Sequence, residues 1–91
     1  MMLITVEDVF DLGNRLVLAP GVDSSVADIL RKITTVELIF PNGFSQKVDI
    51  FGIEHITPNP QRIYPIAICK SLDKDAIPIG TQVWTIDNLI D

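Results

Sequence analysis

The sequence contains few of the residues that most often carry chemistry or cross-links. Among its 91 residues there is a single cysteine, Cys69, and a single histidine, His55. One cysteine cannot form an intramolecular disulfide, so the sequence indicates a reducing compartment. A structural zinc site needs several cysteine or histidine ligands, which this chain cannot supply. We therefore expect no metal and no cofactor.

The lone cysteine and the lone histidine leave two interpretations open. Cys69 ends an apolar run that starts at Ile66, which is typical of a small buried thiol. The alternative is a nucleophile that uses His55 as its base. His55 stands where apolar and polar residues alternate, which predicts a solvent-facing strand histidine. Because the same alternation scatters the carboxylates, none pairs with His55 at a catalytic spacing, and we predict no enzymatic activity.

An excess of basic residues is also absent. Seven lysines and arginines face twelve aspartates and glutamates, which gives a net charge of −5. A phosphate-binding surface would be basic, so this balance argues against duplex nucleic acid and anionic membranes as partners. No basic segment precedes Glu7 and Asp8, and no apolar run is long enough to span a membrane. The sequence therefore predicts a cytoplasmic protein.

The residues that are abundant indicate one small all-β domain over positions 1–91. Hydrophobic residues make up 47% of the chain, and six prolines and five glycines divide it into short β-branched runs. Asn42-Gly43 predicts a hairpin turn, and Gly52 predicts a bulge or a close backbone approach inside the longest run. The predicted strands cover residues 3–10, 15–19, 35–40, 46–57, 62–70 and 81–86.

One segment, residues 24–32, departs from the strand pattern. It opens with two serines, carries an acid three residues after Ser25 and ends on two basic residues. These are helix start and stop signals, so we predict a short helix of about two turns with a serine cap. Val26, Ile29 and Leu30 would share its apolar face.

Four runs of the sequence occur together in an informative order. They are V-E-D-V-F at 6–10, T-V-E-L-I at 35–39, I-F-G-I-E at 50–54 and K-D-A-I-P-I-G-T-Q-V at 74–83. They resemble the I-E-D-V-F, D-E-V-E-I, V-T-G-V-E and acidic-I-x-x-G-x-V-L motifs in the second domain of translation elongation factor Tu and related translational GTPases. Residues 10–22 are similar to the family's F-x-I-x-G-R-G-T-V-V-T-G-R-V, which they meet at Arg15, Val17, Gly21 and Val22.

The resemblance implies a small, closed, six-to-seven-stranded antiparallel barrel, with the predicted helix as an insertion. In the family, the acidic pair and the phenylalanine of E-D-V-F help to form the pocket for the amino acid on transfer RNA. Those positions match Glu7, Asp8 and Phe10 here. The alternative is that Phe10 packs in the core and the two acids are solvated. Pro20 replaces a family threonine near that pocket, and the phosphate loop G-x-x-x-x-G-K-[ST] is absent, which excludes GTP hydrolysis by this chain.

These observations predict a stand-alone, non-enzymatic protein-binding module. It would act as an accessory, a regulator, or an antitoxin- or immunity-type neutraliser. Its acidity favours a protein partner with a basic surface, because complementary charge speeds association. The candidate surfaces are the edge that carries the E-D-V-F residues, the helical insertion, and the loop that contains Asp73 and Asp75.

The alternative function is an RNA- or transfer-RNA-binding accessory of the translation machinery. Phe44, Tyr64 and Trp84 would then serve as platforms on which bases stack. The net charge of −5 disfavours this alternative, and no run of cations is longer than two residues.

Overall fold

Residues 1–86 form a seven-stranded antiparallel sheet with one helix in a computed structural model, and only these residues are described. The mostly β composition expected from the sequence is confirmed. A single 3-10 turn lies at Lys74–Ala76. The other elements are β1 (Met2–Thr5), β2 (Asp8–Asp11), β3 (Arg15–Val22), α1 (Ser24–Leu30), β4 (Thr35–Ile39), β5 (Ser45–Ile53), β6 (Tyr64–Cys69) and β7 (Gln82–Thr85).

The sheet is curled into a half-barrel because β5 belongs to both of its halves. The strand order is β1-β7-β4-β5-β6-β3-β2. Residues 45–49 of β5 pair with β4, whereas the part from Ile50 to Ile53 pairs with β6. The register shifts between Ile50 and Gly52, so the bulge predicted at Gly52 is confirmed. A bulge bends its strand and lets it pass from one half of the sheet to the other.

The sheet is open, which corrects the closed barrel expected from the sequence. Its terminal strands, β1 and β2, follow one another along the chain, so the first predicted strand is broken into two. At the break, Val6 donates its N–H to the Thr81 carbonyl (2.7 Å) and accepts from the Gly80 N–H (2.9 Å). The next N–H, that of Glu7, goes to Ala19 (2.9 Å). The chain thus leaves β7 and joins β3. The two edge strands, β1 and β2, are connected through the backbone at Val6 and Glu7 and do not pair with each other by hydrogen bonds.

Alternate residues of the central strands build the hydrophobic core. Leu16 and Leu18 of β3 and Ile66 and Ile68 of β6 are fully buried members of it. Strands rich in β-branched and aliphatic residues favour this arrangement, since successive side chains point to opposite faces. Helix α1 packs on the same core through Ala27 and Leu30. No helix within the described residues is long and apolar enough to cross a membrane.

Helix α1 has the predicted length of about two turns, but its cap differs from the prediction. The carboxylate of Asp23, and not a serine, accepts the Val26 N–H at 3.0 Å. That hydrogen bond is the main reason why the pKa of Asp23 is lowered. The buried residues are Ala27 and Leu30, whereas Ile29 is exposed, so the predicted apolar face is rotated. Aspartate and serine are both good caps, and the sequence alone did not separate them.

Strand β3 runs further than predicted, through Pro20 and Gly21 to Val22. Gly21 has φ +116°, and a Cβ placed on it would lie 2.6 Å from the backbone of Tyr64 and Pro65. Only glycine allows the two strands to approach this closely with that conformation. The other predicted strands are present, with ends that differ by a few residues.

Candidate functional site

A shallow cleft lies between β2 and the segment that follows the 3-10 turn. Its volume is about 240 Å³, and we name it the acidic cleft. It brings together Asp8 and Asp75, two of the residues singled out from the sequence. The lining residues are Asp8, Val9, Lys74, Asp75, Ile77, Pro78 and Ile79.

The cleft combines an apolar floor with an exposed apolar rim. Val9 and Ile77 are buried in the core, whereas Ile79 is 73% exposed. Ile79 stands at the tip of a turn in which the Thr81 N–H donates to the Pro78 carbonyl at 3.1 Å. Gly80, the next residue, has φ +96°, as the third position of a type II turn requires. The exposed rim is therefore held by a defined turn.

Asp8 has a local structural role as well as a place in the cleft. Its Oδ1 accepts the Val9 N–H at 2.9 Å. Because β2 is a terminal strand of the sheet, a carboxylate on its backbone helps to protect the edge from pairing with another chain.

Glu7 and Asp73 are exposed but do not line the cleft. Glu7 lies in the bend between β1 and β2, and Asp73 precedes the 3-10 turn, where its carbonyl accepts the Ala76 N–H at 2.9 Å. Each is the chain neighbour of a lining residue, Asp8 or Lys74 respectively.

Phe10 is 48% exposed, so the interpretation that it packs in the core is wrong. Its neighbour Val9 takes the core position, and the alternation of the strand turns Phe10 outward. Across the ladder Phe10 lies opposite Val17 of β3. Phe10 does not line the acidic cleft, although the alternation of β2 places it on the same outward face as Asp8.

The outward side of β3 and β6 carries a feature that the sequence did not predict. Val17 and Ala67 face each other there and are almost completely buried, although neither belongs to the main core. Nearby, Arg15 forms a two-point ion pair with Glu54 and lies over the ring of Phe51. The only sequence signal was that β3 and β6 are apolar on both faces, which is typical of strands covered on both sides.

A second, larger depression lies beside the β4–β5 hairpin, and we name it the apolar groove. Its volume is about 460 Å³. Phe44, at the end of the hairpin turn, is 74% exposed. The lining residues are Phe40, Pro41, Asn42, Phe44, Gln46, Leu72, Ala76 and Pro78. The hairpin predicted at Asn42-Gly43 is confirmed, but the groove beside it was not predicted.

The lone histidine and cysteine lie in separate surroundings. His55 is exposed, as predicted, but just beyond the end of β5, with its ring edge-on to Tyr64 at a centroid distance of 5.5 Å. Its Nε2 lies 3.4 Å from an Arg31 nitrogen. Cys69 is half-buried and lies opposite Arg15 in the ladder between β3 and β6, so the prediction of a buried thiol is wrong. Within residues 1–86, no group of three or more His, Cys, Asp and Glu side chains is placed to hold a metal ion.

The aromatic residues proposed as stacking platforms differ in exposure. Phe44 is exposed, whereas Tyr64 and Trp84 are half-buried. The Trp84 Nε1–H donates to the side-chain oxygen of Gln82 at 2.9 Å. A single open ring presents much less surface for base stacking than the three expected from the sequence.

Comparison with known proteins found no protein-family model, no curated protein and no solved structure that matches this chain. The resemblance to translation-factor barrels therefore rests on the sequence motifs.

Proposed function

We propose that this chain is a non-enzymatic, cytoplasmic protein-binding module that takes a basic partner protein at the acidic cleft. The observation that carries the proposal is the meeting of Asp8 and Asp75 around an apolar floor, with Ile79 exposed at the rim. Carboxylates beside uncovered apolar surface suit a protein partner, because charge guides the encounter and apolar burial holds the complex.

The balance of charge around the cleft supports a basic partner. Glu7, Asp8, Asp73 and Asp75 lie in or next to it, and Lys74 is the cation that lines it. The other acid of β2 is already neutralised, since Asp11 Oδ2 lies 2.7 Å from Lys70 Nζ. This hydrogen bond also lowers the pKa of Asp11. Among the described ion pairs none involves Asp8 or Asp75, so these two carboxylates of the cleft are available to a basic partner.

We also propose that the half-barrel is of the translation-factor second-domain type. Two of the motifs that resemble the family lie against each other, since Val6 of V-E-D-V-F is hydrogen-bonded to both Gly80 and Thr81 of the last motif. Positive φ at Gly80 supplies a reason for glycine in that motif. This supports a role beside the translation machinery, as an accessory, a regulator or an immunity-type neutraliser.

Affinity capture from native lysate, with and without ribonuclease, tests this function. The cleft variant is Asp8→Asn with Asp75→Asn, because asparagine keeps an acceptor for the Val9 N–H while removing the charge. The control, Asp28→Asn with Asp49→Asn, removes the same charge from exposed positions elsewhere. We expect wild type and control to retain one stoichiometric protein regardless of ribonuclease, and the cleft variant to lose most of it.

Two results would contradict the proposal. If the cleft variant recovered as much partner protein as wild type, the cleft would not be the binding site. Recovery of RNA, with loss of the protein after ribonuclease treatment, would favour the RNA-binding alternative, for which exposed Phe44 is the supporting observation.

A further inference from the structure

The acidic cleft and the apolar groove adjoin at Pro78, which lines both. We propose that the two depressions form one docking surface for a protein segment that carries a large apolar or aromatic side chain close to lysine or arginine. This inference rests on the proposed function and adds the chemistry of the partner.

The apolar groove has the size and the lining of a site for an anchoring side chain. Its volume of about 460 Å³ is within the usual range of ligand pockets. Phe44 is 74% exposed on one wall, and Leu72, on the other wall, reaches the core. Covering such surface with an apolar side chain removes it from water and stabilises a complex.

Both walls of the groove are held in place by hydrogen bonds of backbone N–H groups. On the hairpin wall, the Phe40 carbonyl accepts the Gly43 N–H at 2.9 Å, and the Phe44 N–H donates to Asn42 Oδ1 at 3.0 Å. On the other wall, the Ile77 N–H donates to a carbonyl of the 3-10 turn at 3.2 Å. Because this surface is already ordered, it loses little conformational entropy when a partner binds.

The 3-10 turn determines how the two halves of the surface adjoin. Asp75 lines the acidic cleft, and the next residue, Ala76, lines the apolar groove. A segment that crosses this turn meets carboxylates on one side and apolar side chains on the other. Its cations and its apolar anchor must therefore be near neighbours in its own sequence or on one face of it.

The negative charge of the cleft favours a cationic protein segment over nucleic acid, anionic lipid or a second copy of the chain. Nucleic acid and anionic lipid carry the same sign as the cleft. A second copy of the chain carries a net charge of −5 and would be repelled as well. A cationic segment with an apolar anchor satisfies both halves of the surface.

The test is selection of peptides from a phage-displayed library of random dodecapeptides on the full chain, followed by fluorescence anisotropy with the selected peptides. Phe44→Ser removes the groove wall, and Ile56→Ser, at another exposed apolar position, is its control. Asp75→Lys reverses charge in the cleft, and Asp49→Lys is its control. We expect selected peptides to pair an aromatic or large aliphatic residue with nearby lysine or arginine. We expect Phe44→Ser and Asp75→Lys each to raise Kd roughly tenfold or more, with both controls near wild type.

The failures of the two proposals are distinguishable. Basic peptides that depend on Asp75 but not on Phe44 would overturn this inference and leave the proposed function standing. Peptides that depend on Phe44 but not on Asp75 would overturn both. If no peptide is enriched, or if sedimentation shows self-association that Phe44→Ser abolishes, the inference is wrong, and the lysate capture decides the proposed function independently.

Discussion

Arg15 and Glu54 form a two-point ion pair that spans β6. The Nε and Nη2 atoms of Arg15 each donate to one oxygen of Glu54 at 2.8 Å, although β6 separates β3 from β5 in the sheet. The guanidinium carbon also lies 5.4 Å from the centroid of the Phe51 ring. Less than a quarter of either charged side chain is exposed, at 23% and 21%. The pair is therefore less screened by water than an ordinary surface ion pair.

Replacing Glu54 with glutamine should lower the free energy of unfolding at neutral pH and flatten its dependence on pH. The hydrogen bond from Arg15 holds the pKa of Glu54 below its ordinary value of 4.5. Near that value the unfolded chain binds more protons than the folded one, so stability rises with pH. The contribution is complete above pH 4.5 and is lost as pH falls through the lowered pKa of the folded protein. Urea unfolding from about pH 3 to pH 7 measures it.

The matched control for this prediction is Asp28→Asn. Asp28 forms an ion pair with Arg31 in which both side chains are largely exposed, at 69% and 47%. Such pairs contribute little to stability, so the control should follow wild type closely. Coincident pH profiles for wild type and Glu54→Gln would show that the two-point pair contributes nothing to stability.

Replacing Gly21 with alanine should destabilise the protein much more than replacing Gly13 with alanine. Both glycines have positive φ, at +116° and +92°, so the conformational strain is similar. Around Gly13 there is no atom within 4 Å of an added Cβ, whereas at Gly21 the Cβ meets the backbone of Tyr64 and Pro65 at 2.6 Å. The excess cost should be about 1–3 kcal/mol, as for overpacked sites. Equal midpoints in urea would contradict the close approach of β3 and β6.

Removing the Asp23 side chain should weaken helix α1, and removing that of Ser24 should not. Asp23→Ala leaves the Val26 N–H without its carboxylate acceptor and exposes an uncapped helix start. We expect a lower melting temperature for Asp23→Ala and a melting temperature near that of wild type for Ser24→Ala. Thermal unfolding monitored by circular dichroism measures both. The opposite ranking would contradict the assignment of Asp23 as the helix cap.

Much of the local structure follows from the sequence because it depends on near neighbours. Asn42-Gly43 supplies the positive φ that a hairpin turn needs, and Gly52 marks the bulge inside β5. The serine-rich start and the basic end of residues 24–32 located a helix, although only the folded structure shows that Asp23 caps it. The turn positions and the mostly β composition are of this kind.

The open sheet and the candidate site follow from contacts between residues far apart in the chain. The split of the first strand depends on two hydrogen bonds of Val6, which donates to the Thr81 carbonyl and accepts from the Gly80 N–H near the other end of the sequence. Alternation showed that Phe10 and Val9 lie on opposite faces, but not which face is the core. Likewise, Asp8 and Asp75 form one cleft because the turn before β7 packs against β2.

By itself, then, the sequence determined the small size, the acidity, the β-rich elements and the turns, since these depend on composition and on local backbone preferences. The tertiary structure decided which strand edges stay unpaired, which aromatic side chains reach water, and where carboxylates meet apolar surface. Those features depend on the register and curl of the sheet, which arise only when distant strands pair. The net charge of −5 is spread along the sequence, and folding concentrates part of it at one cleft.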